Sequence, residues 1–274
     1  MNSLKVDKAK CKGDGRCVEI CPIKILRMNE KDAVPEFIPV GPEVCINCGH
    51  CFAFCPTGAI TLSTMNAEDS LKLEYSKLPT PEQVELLLKG RRSIRNYKDQ
   101  PIEKEKIEKL LDLARYAPSG INRQPVNWAV ILGKDKVHDL AGRIASWMEG
   151  LLKDKSPMAE SFSFDRLVDS WKSGLDLICR GAPSVVIAYG LKDDPIVPQS
   201  CTISGTYLEL AAFGLGLGAC WAGYVHMAVN MSEDVRKITG LSNRATAGAA
   251  MMVGYAQYRY SRVPSRNNPK VLWR

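Results

Sequence analysis

The sequence of 274 residues contains no apolar run that approaches the roughly 20 residues needed for a membrane-spanning helix. Its first residues, MNSLKVDKAKCKGDG, contain no apolar core of the kind found in a secretory signal. We therefore expect a cytoplasmic protein that does not insert into a membrane. The composition is that of an ordinary soluble chain, with 45% hydrophobic and 24% charged residues.

Two further absences narrow the range of ligands. The net charge is +7, but no nucleic-acid-binding motif accompanies this basic excess, so we attribute it to an anionic small-molecule cofactor and to acidic redox partners. A Rossmann dinucleotide site is also not supported. The stretch GLGLGA follows a predicted helix, whereas the G-x-G-x-x-G motif follows a strand.

Cysteine, by contrast, is abundant. The chain has ten cysteines, and seven of them fall within residues 11–55. Such clustering in a cytosolic chain favours metal binding over disulfides. The other three, Cys179, Cys201 and Cys220, are predicted to be buried as small apolar side chains.

The clustered cysteines form an approximate repeat of two motifs. CINCGHCFAFCP, from Cys45 to Pro56, has the pattern C-x2-C-x2-C-x3-C-P, and CKGDGRCVEICP keeps its spacing with Asp14 in place of one cysteine. Thiolate sulfur is the preferred ligand of iron–sulfur clusters. A zinc ribbon also uses C-x2-C pairs, but it needs neither the run of four thiolates nor its near-copy. His50 is predicted to be a solvated loop residue.

About 55 residues around these motifs closely resemble the two-cluster bacterial-type ferredoxins, in which the cysteine before proline ligates the other cluster. The resemblance implies one 4Fe–4S cluster and a second cluster. Each would be held by three residues of one motif and by the cysteine before proline of the other motif. The first cluster would be held by Cys21, Cys45, Cys48 and Cys51. The second would be held by Cys11, Cys17 and Cys55, with Asp14 at the fourth corner.

Asp14 leaves three outcomes open for the second cluster. A carboxylate is a harder ligand than a thiolate but can still hold iron, so Asp14 either ligates a 4Fe–4S cluster through oxygen or stands near a labile iron whose loss leaves a 3Fe–4S cluster. In the third outcome Asp14 is a bystander and the domain forms a single cluster.

The rest of the chain predicts a second, larger domain. Residues 1–64 form the ferredoxin domain, the polar stretch 65–80 is a linker, and residues 81–274 follow. TPEQVELLLKG predicts a helix with Thr80 as N-cap, Gln83 completing a capping box and Gly90 closing the helix in the left-handed conformation. A second helix is predicted from about 101 to 117, with one apolar face.

Short β-branched runs predict buried strands at WAVIL, PSVVIAY and AGAAMMVGY, and TISGTYLELAAFGLGLG predicts a core helix. Helices and strands mix, but no regular βαβ repeat is visible. The fold class is therefore α+β, with a small ferredoxin-like domain followed by a larger α+β domain.

Four motifs in this second domain point to one anionic, planar ligand. KGRRSIRNY places three arginines and a serine together, and arginine forks match phosphate oxygens, although a solvated basic loop is the alternative. APSGINRQPVNWAVI offers polar groups on a tight turn. GLGLGACWAGY offers glycines that let backbone amides approach a flat ring, and VGYAQYRYSRVPSR places two arginines near the C-terminus.

The order and spacing of these four motifs resemble the nitroreductase family of FMN enzymes over residues 81–274. The resemblance implies a homodimer with FMN at the interface. Contacts to the FMN phosphate and pyrimidine edge are implied for Arg91, Arg92, Ser93 and Arg95. A turn that reaches FMN from the partner subunit is implied for Pro118, Ser119, Gly120 and Asn122. The resemblance also implies that the backbone of Trp221, Ala222 and Gly223 lies under the N5 and O4 edge of the flavin. Arg262 or Arg266 is implied to clamp the phosphate.

Three details of the second domain stay open at this point. A polar residue, often lysine, precedes the PSVVIAY strand in many family members, and GLDLICRGAP offers no clear equivalent. The segment from Trp147 to Trp171 is either a substrate lid or a surface helix pair that packs its aromatic residues inward. His226 either donates to substrate or has a structural role.

Together these features predict an iron–sulfur flavoprotein oxidoreductase that passes electrons between its clusters and FMN to reduce a small acceptor such as a nitro compound or a quinone. The donor is NAD(P)H or a redox protein. The flavin supplies the chemistry, so no catalytic side chain is predicted, and the backbone N–H of Ala222 is expected to donate to N5. The alternative is an electron-transfer carrier whose FMN relays electrons to or from a protein partner.

Overall fold

The computed structural model describes residues 2–274 and contains two compact units. The first unit extends up to Leu78 and also includes Gly120–Arg123, and the second comprises Pro79–Ser119 and Gln124–Arg274. No helix in residues 2–274 is both long enough and apolar enough to cross a membrane.

The first unit is built from short elements because its sequence is dense in glycine, proline and cysteine. Two antiparallel pairs, β1 with β4 and β2 with β3, accompany three helices of four or five residues. The elements in chain order are β1 (Leu4–Val6), α1 (Arg16–Glu19), β2 (Leu26–Met28), β3 (Pro35–Phe37), α2 (Gly41–Val44), α3 (His50–Phe54) and β4 (Ile60–Leu62).

The sequence repeat of the first unit becomes a structural repeat. Gly15 begins α1 and Gly49 begins α3, each as an N-cap in the left-handed conformation with φ of 70° and 74°. Glycine adopts this conformation without the steric cost that a side chain would add. Each motif therefore turns at the same point and starts a short helix that carries one of its cysteines.

The second unit begins with a helix that the sequence predicts almost to the residue. Helix α4 (Pro81–Gly90) has a complete capping box between Thr80 and Gln83. The expectation that Gly90 closes this helix in the left-handed conformation is wrong, since Gly90 is the last helical residue and Arg91 follows it with φ −57° and ψ 134°. The chain therefore leaves the helix directly in an extended direction.

The remaining elements surround one antiparallel sheet of four strands in the order β5-β6-β8-β7. Every neighbouring pair is antiparallel, which confirms the α+β class and the absence of a βαβ repeat in this sheet. The elements are α5 (Lys104–Ala114), β5 (Asn127–Leu132), α6 (Lys134–Lys153), α7 (Pro157–Ser161), α8 (Phe164–Lys172), β6 (Ser184–Leu191), α9 (Val197–Gly214), β7 (Gly218–Trp221), α10 (Gly223–Met231), α11 (Glu233–Thr239) and β8 (Ala245–Gly254).

The α6–α8 region includes the segment from Trp147 to Trp171, for which the sequence left two alternatives: a substrate lid, or a helix pair that packs its aromatic residues inward. Met148 and Phe164 are fully buried in the core that includes β6, and the Trp147 and Phe164 ring centroids lie 5.8 Å apart. The segment thus packs its main aromatic residues inward, as the second alternative predicts. Cys179, Cys201 and Cys220 are also buried, as expected.

The RRSIR stretch runs along the edge of the sheet. Ser93 forms a parallel bridge with Ala219, and the Ile94 N–H donates to the Ala219 carbonyl at 2.9 Å. A Cβ on Gly218 would lie 2.7 Å from the Ile94 side chain, so only glycine allows this close approach. One glycine of the GLGLG motif therefore serves to seat the arginine segment beside β7.

Candidate functional site

A first hollow in the ferredoxin unit is lined by the four cysteines Cys21, Cys45, Cys48 and Cys51. Its other walls are largely apolar and include Ile25, Leu26, Phe37 and Leu62. Cys21 belongs to the first sequence motif and the other three to the second. The structure thus brings together the four residues that the ferredoxin resemblance groups around one cluster.

A second hollow is lined by Cys11, Asp14, Cys17 and Cys55. Cys55 comes from the second motif, so the two motifs exchange one residue each. Asp14 is exposed, and its carboxylate accepts a hydrogen bond from the Arg16 N–H at 3.3 Å. A carboxylate oxygen therefore shares this hollow with three thiol sulfurs.

The spread of the donor side chains fits a cluster better than a single ion. Zinc binds four sulfur ligands at only about 2.3 Å, and within residues 2–274 no three His, Cys, Asp or Glu side chains converge closely enough to hold one ion. A cuboidal cluster spreads its ligands around several iron and sulfide atoms. Four sulfur donors on the walls of an apolar hollow suit such a cluster.

Burial controls the protonation of these cysteines. Desolvation raises the pKa of Cys51 to about 11, with the neighbouring Cys21 and Cys48 adding to the rise, and burial likewise raises the pKa of Cys17. Burial also acts on Cys55, but hydrogen bonds from Thr57 and Ala59 outweigh it and lower its pKa. Metal ligands must be deprotonated, so iron would supply the positive charge that ionises the buried thiols.

The segment Gly120–Arg123 contacts the cluster loop within the first unit. The Asn122 side-chain amide donates to the carbonyl oxygens of Ile46 at 3.2 Å and Asn47 at 2.8 Å. A third carbonyl of the same loop, that of Cys45, accepts from the Asn2 side chain at 2.6 Å. No local sequence pattern indicates the contact between Asn122 and this loop, because about 75 residues separate the partners.

A large cavity in the second unit is lined by several basic side chains. It has about 1360 Å³ of empty space, part of it open to solvent, and its walls include Phe213, Leu217 and Tyr255. The basic residues on its walls are Arg91, Arg92, Lys98, Arg259 and Arg262. Arg262 is therefore placed with Arg91 and Arg92, whereas Arg266 is not among the lining residues.

One buried carboxylate organises a side of this cavity. Glu209 of α9 is only 6% exposed, and it accepts from Arg91 Nη1 at 2.7 Å and from the Trp221 indole Nε1 at 3.2 Å. A buried charge is stable only when it is paired and hydrogen-bonded. Glu209 thus fixes Arg91 and Trp221 relative to each other, a role that the sequence did not indicate because glutamate lies alone in an apolar helix.

Ser93 and Arg95 lie toward Cys220 rather than in the walls of the cavity. The Ser93 hydroxyl hydrogen-bonds Cys220, whose pKa is raised by burial against the lowering effect of Arg95 and Arg180. Burial also strongly raises the pKa of Tyr97, which the same two arginines lower. Arg180 is a basic group in the GLDLICRGAP stretch that the sequence prediction did not identify.

Arg180 owes its position to a tightly bonded loop. The Asp176 carboxylate accepts from the N–H groups of Ile178, Cys179 and Gly181 at 2.8 to 2.9 Å. Arg180 itself has φ of 58°, in the left-handed region that non-glycine residues seldom adopt. Such a conformation persists where neighbouring bonds impose it, and here the Asp176 carboxylate supplies those bonds.

The expected role of the Ala222 N–H is wrong. This N–H donates to the Ala250 carbonyl at 2.8 Å, so it already has a partner within the sheet. Helix α10 begins at the next residue, Gly223, and the first N–H groups of a helix have no partner inside the helix. Gly223 is therefore a better candidate than Ala222 for a backbone donor to a ligand.

Ser119 and His226 have structural partners in this chain. Ser119 Oγ accepts from the Gln124 N–H at 2.9 Å and closes the base of the turn that follows Pro118. His226 Nε2 lies 3.0 Å from the Ala247 carbonyl, which favours its structural role. His50 is exposed, as expected, but it is the first residue of α3 rather than a loop residue, and it also lines the first hollow.

Comparisons with known proteins agree with both parts of this architecture. The Nitroreductase family pattern matches residues 88–255, and a 4Fe-4S dicluster domain pattern matches residues 10–68. A putative NADH dehydrogenase/NAD(P)H nitroreductase of Methanothermobacter thermautotrophicus is 24% identical over 168 residues, which cover 61% of this chain and 74% of that protein.

Two further similarities concern one part of the chain each. A crystal structure of a nitroreductase with bound FMN from Bacteroides fragilis has a TM-score of 0.58 and 19% identity, covering 70% of this chain and 99% of that one, which shows a shared fold. A protein named Ferredoxin 7Fe from Hydrogenibacillus schlegelii is 40% identical over 47 residues, 17% of this chain and 54% of that protein.

The chain is thus a flavin-type α+β domain preceded by a two-cluster ferredoxin domain. It belongs to the nitroreductase family, and this membership makes it an FMN-dependent oxidoreductase.

The two hollows generate a test with a matched pair of variants. Cys17 and Cys21 lie four residues apart, but they line different hollows. We expect Cys21→Ala to remove the cluster of the first hollow and Cys17→Ala to remove that of the second, each with loss of about half of the iron. EPR spectra of the reduced and oxidised variants measure which signal is lost. Loss of the same signal in both variants would contradict the exchange of ligands between motifs.

Proposed function

We propose that the protein is an iron–sulfur flavoprotein oxidoreductase that passes electrons between its two clusters and FMN and reduces a small acceptor such as a nitro compound or a quinone. The observation that carries the proposal is the presence, in one nitroreductase-family chain, of two hollows that each bring together four ligand side chains. One-electron centres and a two-electron cofactor in one protein suit an enzyme that converts between the two kinds of transfer.

FMN is held through its phosphate by the basic cavity. Arg92 and Arg262 are the phosphate ligands, because arginine forks bind phosphate oxygens in two-point contacts and both line the cavity. Arg91 contributes less net charge because Glu209 neutralises it. When bound, FMN supplies the hydride or electron transfer to the acceptor.

The other flavin contacts complete the site in a homodimer. Ser93 and Arg95, which lie outside the walls of the cavity, contact the pyrimidine edge, and Trp221, Ala222 and Gly223 form the backbone beside N5 and O4. The turn of Pro118, Ser119, Gly120 and Asn122 reaches the flavin that the partner subunit binds. What supports this assignment is the family membership together with the order of the motifs along the chain.

The second cluster holds a labile iron at the Asp14 corner. The carboxylate is exposed and shares the hollow with three thiols, so the cluster has four irons under reducing conditions and loses one on oxidation. The similarity to a protein named Ferredoxin 7Fe supports a total of seven irons in the oxidised form.

The electron donor is either NAD(P)H or a one-electron redox protein. If the donor is a redox protein, its electrons enter at the clusters. The basic excess of the chain, +7, suits an acidic redox partner because complementary charge speeds encounter. A carrier that relays electrons to a protein partner without a substrate of its own is the alternative. The water-accessible cavity beside the phosphate residues favours the enzyme.

Reduction and reoxidation of the flavin test the proposed function. We expect anaerobic mixing with NADH, NADPH or reduced ferredoxin to bleach the flavin absorbance, and subsequent mixing with a nitroaromatic or a quinone to restore it. Stopped-flow absorbance measures both steps. Restoration by a redox protein but by neither small acceptor would instead establish the carrier function.

The assignment of the phosphate clamp is tested by two arginine variants. Arg262→Ala should weaken FMN binding by about tenfold to a hundredfold, because a hydrogen bond to a charged group contributes about 1.5–3 kcal/mol. Arg266→Ala is the control and should bind FMN nearly as the unmodified protein does. Fluorescence titration of the flavin-free proteins measures both dissociation constants, and the reverse order would assign the clamp to Arg266.

The labile iron is tested by restoring the fourth thiolate. We expect Asp14→Cys to retain a four-iron cluster in the second hollow after exposure to an oxidant, because a thiolate binds iron more firmly than an exposed carboxylate. The unmodified protein should lose one iron under the same treatment. Iron analysis and EPR before and after oxidation measure the difference. Equal iron loss from both proteins would contradict a role for Asp14 in iron binding.

A further inference from the structure

The two cysteine motifs of the ferredoxin unit differ in charge at equivalent positions. Lys12 and Arg16 of CKGDGRC occupy the places that Ile46 and His50 hold in CINCGHC. Both cationic residues belong to the motif that contains Asp14 and lines most of the second hollow. The sequence repeat therefore carries two strong positive charges at one hollow and none at the equivalent positions of the other.

The loop with these charges is also the more exposed of the two. Residues 12–14 are exposed, whereas residues 46–48 are half-buried. Lys12 lines the second hollow together with Phe54, an aromatic side chain that is 42% exposed. Arg16, the first residue of α1, is exposed as well. The surface at the second hollow thus combines an exposed aromatic ring with positive charge.

Neither of the two cations is neutralised within the chain. Among residues 2–274 the structure records no ion pair for the side chain of Lys12 or Arg16, whereas Lys8 of the same unit pairs with Asp32 at 2.7 Å. The unit is not strongly basic overall, since residues 1–64 contain eight Lys/Arg and seven Asp/Glu. A nearly neutral unit therefore carries free positive charge at the loop of the second hollow.

We propose that the surface formed by Lys12, Arg16 and Phe54 is the docking surface for an acidic one-electron donor protein, which reduces the cluster of the second hollow. Redox proteins meet through small interfaces, in which complementary charge speeds the encounter and aromatic side chains are enriched. The inference rests on the proposed function, in which a redox protein delivers electrons to the clusters. It specifies which cluster receives them and which residues the carboxylates of the donor contact.

The electron transfer at this surface is balanced without any bond being made or broken. The donor is oxidised by one electron, and the cluster of the second hollow is reduced by one. Lys12 follows the ligand Cys11 and Arg16 precedes the ligand Cys17, so the two cations also favour the added negative charge on the cluster. Docking and this direct effect on the cluster predict different results with different reductants.

Four variants separate docking from net charge. Lys12→Glu and Arg16→Glu reverse the charge at the proposed surface, and Lys12→Gln removes one charge with the least disturbance of the loop. Lys24→Glu is the matched control, because it changes the net charge equally within the same unit but follows Pro22 and Ile23, which line the first hollow. All variants are compared as full-length protein with FMN and both cluster EPR signals present.

Reduction by an acidic ferredoxin is the first readout. At low ionic strength we expect the second-order rate constant to fall about tenfold in Lys12→Glu and Arg16→Glu and about threefold in Lys12→Gln, because charge complementarity raises association rates. Lys24→Glu should stay within about twofold of the unmodified protein, and added salt should abolish the differences because it screens exposed charges. Stopped-flow absorbance measures the rates. Equal slowing in Lys24→Glu would show an effect of net charge alone and would overturn the proposal.

Dithionite-reduced methyl viologen isolates the direct effect on the cluster. This reductant is a small cation and needs no basic docking surface, so the charge-reversal variants should be reduced at least as fast as the unmodified protein. If they were slowed by the same factor with the viologen as with the ferredoxin, the two cations would act on the cluster itself. The docking role would then be overturned.

Cross-linking gives a readout that does not depend on activity. A carbodiimide joins lysine amines to carboxylates that touch them, and mass spectrometry of the digested complex identifies the linked residues. We expect Lys12 to be linked to carboxylates of the ferredoxin and Lys24 to remain unlinked. Links at Lys24 without links at Lys12 would overturn the proposed surface.

Two outcomes distinguish this inference from the proposed function. If the ferredoxin reduced the clusters but the flavin never bleached, the proposed function would fail, and the docking surface would still be supported by the variant rates and the cross-links. If NAD(P)H or the viologen bleached the flavin while the ferredoxin neither reduced the clusters nor cross-linked, the docking surface would be wrong and the proposed function would stand.

Discussion

The exchange of one cysteine between the two cysteine motifs is the constraint on which the ferredoxin unit depends. Cys21 joins the three cysteines of the second motif and Cys55 joins the residues of the first. In the described part of the unit the buried apolar side chains are few: Cys21, Ile25, Leu26, Ala59, Ile60 and Leu62. In small metal-binding domains the free energy of metal binding contributes to folding, so the crossed ligands fix how the two motifs pack.

A second constraint acts in the nitroreductase-family unit. The buried Glu209 joins Arg91 to Trp221, so that helix α9, strand β7 and the arginine segment have one relative arrangement. The cavity beside them keeps a basic excess from Arg92, Lys98, Arg259 and Arg262. An anionic cofactor therefore meets positive charge that is already in position, which reduces the cost of ordering side chains on binding.

Sequence reasoning succeeded where local chemistry decides the structure. The capping box at Thr80, the β-branched strands and the cysteine spacing all act over a few residues, and the structure contains each of them. The strand at WAVIL, predicted to be buried, is only partly buried. It failed where partners lie far apart in the chain. The pairing of Glu209 with Arg91, the bond from Ala222 to Ala250 and the contact of Asn122 with Asn47 depend on tertiary packing, and no short pattern specifies them.

The central claim is that one chain holds two clusters with exchanged ligands together with FMN. It is tested most directly by iron, acid-labile sulfide and flavin analysis of the intact protein purified without oxygen, combined with EPR of the reduced and oxidised states. The account predicts two distinguishable iron–sulfur signals in a protein that also contains FMN. A protein that retained its flavin but contained no iron, or that held zinc in either hollow, would contradict the account.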